Sequence, residues 1–108
     1  MALGLIEATG LSTAMAALDA AAKTAEVTLV GCERVIGVDQ KVSITLSLQG
    51  DVAAVQAAVQ AGRTAGNRIG HVVNAHVIPR PSEELKIIAA GFDQDLLPAN
   101  MSVKPEEN

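Results

Sequence analysis

The sequence predicts an α+β domain of ferredoxin-like order, β-α-β-β-α-β. An antiparallel four-stranded sheet would carry two helices on one face, with a short C-terminal helix and a tail to follow. Three observations predict it. Four runs have the apolar or alternating pattern of strands, two alanine-rich segments have helical spacing, and glycines stand at the junctions between them.

The first run, "ALGLIEA" at 2–8, reads as a short buried strand, and Gly10 breaks it. From Leu11 the apolar residues Leu11, Met15, Leu18 and Ala22 fall three and four apart, which predicts an amphipathic helix ending near Lys23 or Thr24. The segment 26–36, "EVTLVGCERVI", reads as a strand in which Val27, Leu29 and Gly31 alternate with Thr28, Val30 and Cys32. After a loop at 37–41, "VSITLSLQ" at 42–49 alternates cleanly. Val42, Ile44, Leu46 and Leu48 would take one face and Ser43, Thr45, Ser47 and Gln49 the other, as in a half-buried strand. Gly50-Asp51 punctuates, and the Asp51 carboxylate is suited to cap the next helix by accepting from its free amides. That helix would bury Val52, Val55, Val59, Gly62, Gly66 and Ile69, its two glycines implying close approach to another backbone. Gly70 ends it, and "HVVNAHVI" at 71–78 is the last strand. "SEELKIIAA" at 82–90 predicts a short helix. Residues 91–108 would form an acidic tail beyond a domain at 1–90.

Composition narrows the function classes. The chain has 108 residues, 49% hydrophobic, but the apolar content is Ala, Val, Leu and Ile, with Phe92 the sole aromatic. A lone domain of this kind has a thin core and gains from neighbours. The net charge of −4, with no basic stripe or stacking platform, speaks against nucleic acid. One cysteine allows no internal disulfide and suits a reducing cytoplasm. The start "MALGLIEATG" lacks the marks of a signal peptide, and no apolar stretch is long enough to span a bilayer.

Catalytic patterns are absent. The sequence has neither a P-loop nor a dinucleotide fingerprint. His71 and His76, five apart on one strand, would point to opposite faces and share no metal. Cys32 reads as a small buried hydrophobe; it could hold a metal or cluster only if symmetry gathered several copies. Glu7, Asp19, Glu26 and Glu33 are scattered over different elements, as surface or interface residues are.

Three stretches together resemble a known family: "ALGLIEATGLSTAMAALDAAAKTAEVTLVG" at 2–31, "GDVAAVQAAVQAG" at 50–62 and "HVIPRP" at 76–81. They are similar, in uninterrupted and unpermuted order, to the bacterial microcompartment shell domain of the single-domain, hexamer-forming class. The resemblance implies a structural protein and not an enzyme, with no cofactor. It would form a cyclic homohexamer that tiles edge to edge with its own kind and with other shell proteins around encapsulated enzymes. Small metabolites would pass a pore on the six-fold axis. It implies that Lys23 packs at the hexamer edge, and that Arg80, held in an elbow by Pro79 and Pro81, reaches across to the next hexamer. The pore rim would be Gly37, Val38, Asp39, Gln40 and Lys41, in a loop a few residues longer than the family's commonest pattern. Rings of Asp39 and Lys41 leave open whether that pore is narrowed, plugged or widened. Ser82 stands where relatives often have histidine, and Glu26 where they often have asparagine. Two other readings stay open at this point. One is a minor shell subunit holding a metal or iron–sulfur cluster through Cys32. The other is a small ferredoxin-like regulatory domain that binds a metabolite between subunits.

Overall fold

The structure, a computed structural model, describes residues 1–36 and 41–83. Its elements follow the expected order: β1 (Ala2–Thr9), α1 (Leu11–Thr24), β2 (Thr28–Ile36), β3 (Val42–Gly50), α2 (Val52–Ile69) and β4 (Val72–Ile78). The four strands form one sheet in the order β2-β3-β1-β4, every neighbouring pair antiparallel. The expected terminal helix and tail lie outside the described residues, apart from Ser82 and Glu83 at their start.

Register gives the sheet two distinct ends. At one, Ala2 pairs with Gly50, Leu3 with Ile78 and Thr28 with Gln49. At the other, Thr9 pairs with Ser43 and Ile36 with Val42. The β2–β3 hairpin therefore turns at the second end. Gly10, at φ 84°, makes the sharp exit from β1 there, and its N–H donates to the Val42 carbonyl at 2.7 Å.

The core lies between the sheet and the helices. Ile6, Leu29, Cys32, Ile44, Leu46 and Leu48 meet Ala14, Ala17, Leu18, Ala21, Val55, Ala58 and Val59. Close approach is possible because the contact residues are small. A Cβ on Gly62 would come within 2.9 Å of the Ala17 carbonyl oxygen, so the two helices nearly touch backbones, as the glycine pattern implies. A Cβ on Gly4 would come within 2.7 Å of both Val55 and Val59, which shows how tightly α2 lies on β1.

Several expectations of detail are corrected. The buried stripe of α1 is Thr13, Ala14, Ala17, Leu18 and Ala21, while Leu11 and Ala22 are exposed. Counting the large side chains misplaced that stripe, because alanine is what fits against Gly62 and Gly66. On α2, Val52 and Ile69 at the two ends are exposed, 39% and 63%, because they lie beyond the reach of sheet and α1. Strand β2 begins at Thr28 rather than at 26, and a register shift between Leu29 and Gly31 breaks its alternation. Leu29 and Cys32 consequently share the core face, and Gly31 falls on the other. Ser47 and Gln49 of β3 are buried although they lie on the face away from the helices. Asp51 stands at the N-cap of α2 but makes no side-chain capping bond; only its carbonyl receives the Val55 N–H. His71 precedes β4 instead of joining it, and its carbonyl receives the Thr9 N–H.

Candidate functional site

The first sheet end gathers the residues expected to act at an edge. Helix α1 runs back along the sheet and delivers Lys23 in its last turn, where a cation also suits the helix dipole. The chain then passes Glu26 and enters β2. Strand β3 ends at Gly50, and Asp51 opens α2 beside it. Lys23, Glu26, Asp51, Thr24, Thr28 and Met1 line one open groove of about 830 Å³. Gly50 packs closely at its floor, where a Cβ would lie 3.1 Å from the Glu26 carbonyl oxygen.

The groove's charges are held loosely. Lys23 Nζ lies 3.0 Å from Asp19 Oδ2, one turn back on α1, with both side chains more than half exposed. An exposed pair of this kind contributes little and exchanges partners readily. The Asp51 carboxylate, not spent on capping, is open to the groove.

Arg80 belongs to the same end. Ile78, the last residue of β4, pairs with Leu3 near the start of β1, and the Pro79-Arg80-Pro81 elbow leaves the sheet there with Arg80 exposed. The fold thus brings Lys23 and Arg80, 57 positions apart in sequence, to a common rim.

The opposite end of the sheet holds the strand ends that flank the expected pore rim, Ile36 and Val42. Gly37, Val38, Asp39 and Gln40 fall outside the described residues. Lys41 is described, exposed, immediately before β3, and Ile36 across the hairpin is 71% exposed. Cys32 is fully buried, forms no disulfide, and pairs with Leu46 inside the core. Burial there takes it off any surface where symmetry-related copies could share a cluster, and among the described residues no three His, Cys, Asp or Glu side chains gather as a metal site.

The sequence over residues 2–81, which holds all six elements, matches the family model of the BMC domain. The chain belongs to this family. It is 43% identical over 86% of its length to the bacterial microcompartment shell protein PduA of Salmonella typhimurium, 96% of which is covered. It is 46% identical over 79% of its length to the shell protein EutM of Escherichia coli, covering 84% of that protein. A carboxysome shell protein of Synechocystis sp. is 42% identical over 82% of the chain and is covered to 84%. Among solved structures, a microcompartments protein from Desulfitobacterium hafniense superposes with a TM-score of 0.67 at 40% identity over 80% of the chain. The chain spans 47% of that protein's length. BMC shell proteins are structural and not enzymatic, which agrees with the lack of catalytic patterns in the sequence.

Sequence reasoning missed how the rim is composed. It flagged Glu26 singly and took Asp51 for a helix cap; only the sheet register reveals that both line one groove with Lys23. It also set aside Glu7 and His76, which the register brings to one cavity on the helix-free face.

Proposed function

We propose that this chain is a structural tile of a bacterial microcompartment shell, built as a cyclic homohexamer in the cytoplasm and joined edge to edge with further hexamers and with other shell proteins. The observation that carries this reading is the division of the sheet into two ends. Lys23, Glu26, Asp51 and the Arg80 elbow occupy one end, and Ile36 and Val42, the paired strand ends on either side of 37–41, occupy the other. A flat tile with a central opening needs that division, with the joining chemistry outward and the passage inward.

In this assignment Arg80 of one hexamer enters the groove of the next, where Glu26 and Asp51 supply carboxylates for its guanidinium. Lys23 meets its two-fold mate across the same seam. Gly37, Val38, Asp39, Gln40 and Lys41 ring the passage for small metabolites, and encapsulated enzymes lie within the shell. Exposed apolar residues on the chain's flanks, Ile36, Ile69 and Val73, supply surface for burial between subunits of the ring.

Light scattering after gel filtration tests the ring: a mass near six chains of 11.1 kDa is expected, and a concentrated monomer would overturn it. Electron microscopy of Arg80→Ala tests the seam. Extended sheets should disappear while the hexamer mass is retained.

A further inference from the structure

The sheet face without helices carries a small cavity of about 120 Å³, lined by Leu5, Glu7, Thr45, Asn74 and His76. Its walls follow from the register. Glu7 of β1 pairs with Thr45 of β3 on one side and with Asn74 of β4 on the other, and His76 pairs with Leu5 one step along. Side chains at directly opposed and diagonal positions on one sheet face lie within reach of a shared small ligand. Leu5, half-buried, gives an apolar wall.

Two further facts define what this cavity takes. None of the Glu7, Thr45, Asn74 and His76 side chains makes a hydrogen bond or ion pair with another described residue. Within the four strands this face also carries carboxylates but no lysine or arginine. Glu33 pairs with Thr45 from the far side and puts a second carboxylate on this face, one strand beyond Thr45 and outside the cavity itself. Arg34, the only lysine or arginine within the strands, pairs with Ile44 and so falls on the opposite side. A metal ion is poorly served, because only Glu7 and His76 would be strong ligands. An organic cation is well served: the carboxylate takes its charge, the hydroxyl and amide oxygens accept its remaining N–H bonds, and Leu5 meets its carbon stem. The volume is that of about four waters of bulk liquid, which limits the ligand to roughly half a dozen heavy atoms.

We propose that this cavity is a binding site for a small primary ammonium compound, with Glu7 as the charge partner and Thr45 and Asn74 as hydrogen-bond acceptors. The site is separate from the seam and from the passage, so its test does not depend on either. The probes are propylammonium, the neutral propanol of equal length, and propionate, followed by ligand-observed saturation-transfer NMR on the full-length protein. Saturable binding of propylammonium alone is expected. Glu7→Gln should weaken it at least tenfold and Thr45→Val several-fold, while His71→Gln leaves it unchanged. Each variant is accepted only if it keeps the parent's mass in solution, and Thr45→Val carries the test if Glu7→Gln does not fold. Equal binding of propanol, no saturable binding of propylammonium, or unchanged affinity in both cavity variants would overturn the proposal.

Discussion

Ser47 shows how much one side chain can reveal. It is fully buried on the helix-free face of β3, and its Oγ has no hydrogen-bond partner among the described residues. A buried hydroxyl without a partner has lost its hydration and gained nothing in exchange, a penalty of about 1–3 kcal/mol. Ser47→Ala should therefore raise the midpoint of denaturant unfolding, and a lowered midpoint would mean that the hydroxyl is satisfied in the folded protein. Lys23 makes the opposite case. Its exposed pair with Asp19 has little to give, so Asp19→Ala should change unfolding free energy by less than about 0.5 kcal/mol. If Lys23 acts across a seam, Lys23→Ala should still abolish sheets seen by electron microscopy. Stability and tiling would then separate at a single residue.

At the scale of elements, the contact between α1 and α2 decides the architecture. Alanine on one helix and glycine on the other let the two lie close together above the sheet. Gly62→Ala puts a methyl 2.8 Å from Ile6 Cδ1 and 2.9 Å from the Ala17 carbonyl oxygen. The isoleucine tip can move, but the carbonyl belongs to a helix backbone and cannot. A loss of about 1–3 kcal/mol is expected in urea unfolding, although alanine is the better helix former. The same contact explains what was legible in the sequence and what was not. Element order and most boundaries were readable, because glycine punctuation and the two periodicities are local signals. The buried stripe of α1 was not, because Leu11 looks like a core residue until the glycines of α2 show that the small Thr13 and Ala17 are what face them. The face change within β2 was likewise invisible: one extra residue at Val30 shifts every later side chain, and nothing in "TLVGC" announces it. Edge residues were placed by resemblance rather than by physics. The groove that joins Lys23 to Glu26 and Asp51 required the strand register.

Across the whole molecule, the separation of the two sheet ends predicts independence. Substitutions at Lys23 or Arg80 should alter how hexamers join without changing the mass of the ring. Exchanging Asp39 and Lys41 for serine should leave both mass and sheets intact and change only the passage of charged solutes. Vesicle-free shells loaded with a pH-insensitive dye and challenged with small anionic and cationic quenchers would measure that change. Loss of rings in the Asp39/Lys41 variant would mean that those residues hold subunits together instead of lining an opening.

The hairpin has a consequence for divergence. Strands β2 and β3 are paired as far as Ile36 and Val42, so the sheet is already complete before the chain reaches its tip. Lengthening a closed loop costs only about 0.6 kcal/mol per doubling. Insertions there are thermodynamically inexpensive and leave the rim chemistry at the far end unchanged. Copies of a gene that differ only at this tip would remain interchangeable in one lattice, giving a mosaic wall whose openings vary while its seams stay uniform. For the same reason, the tip is the natural graft point for a foreign peptide.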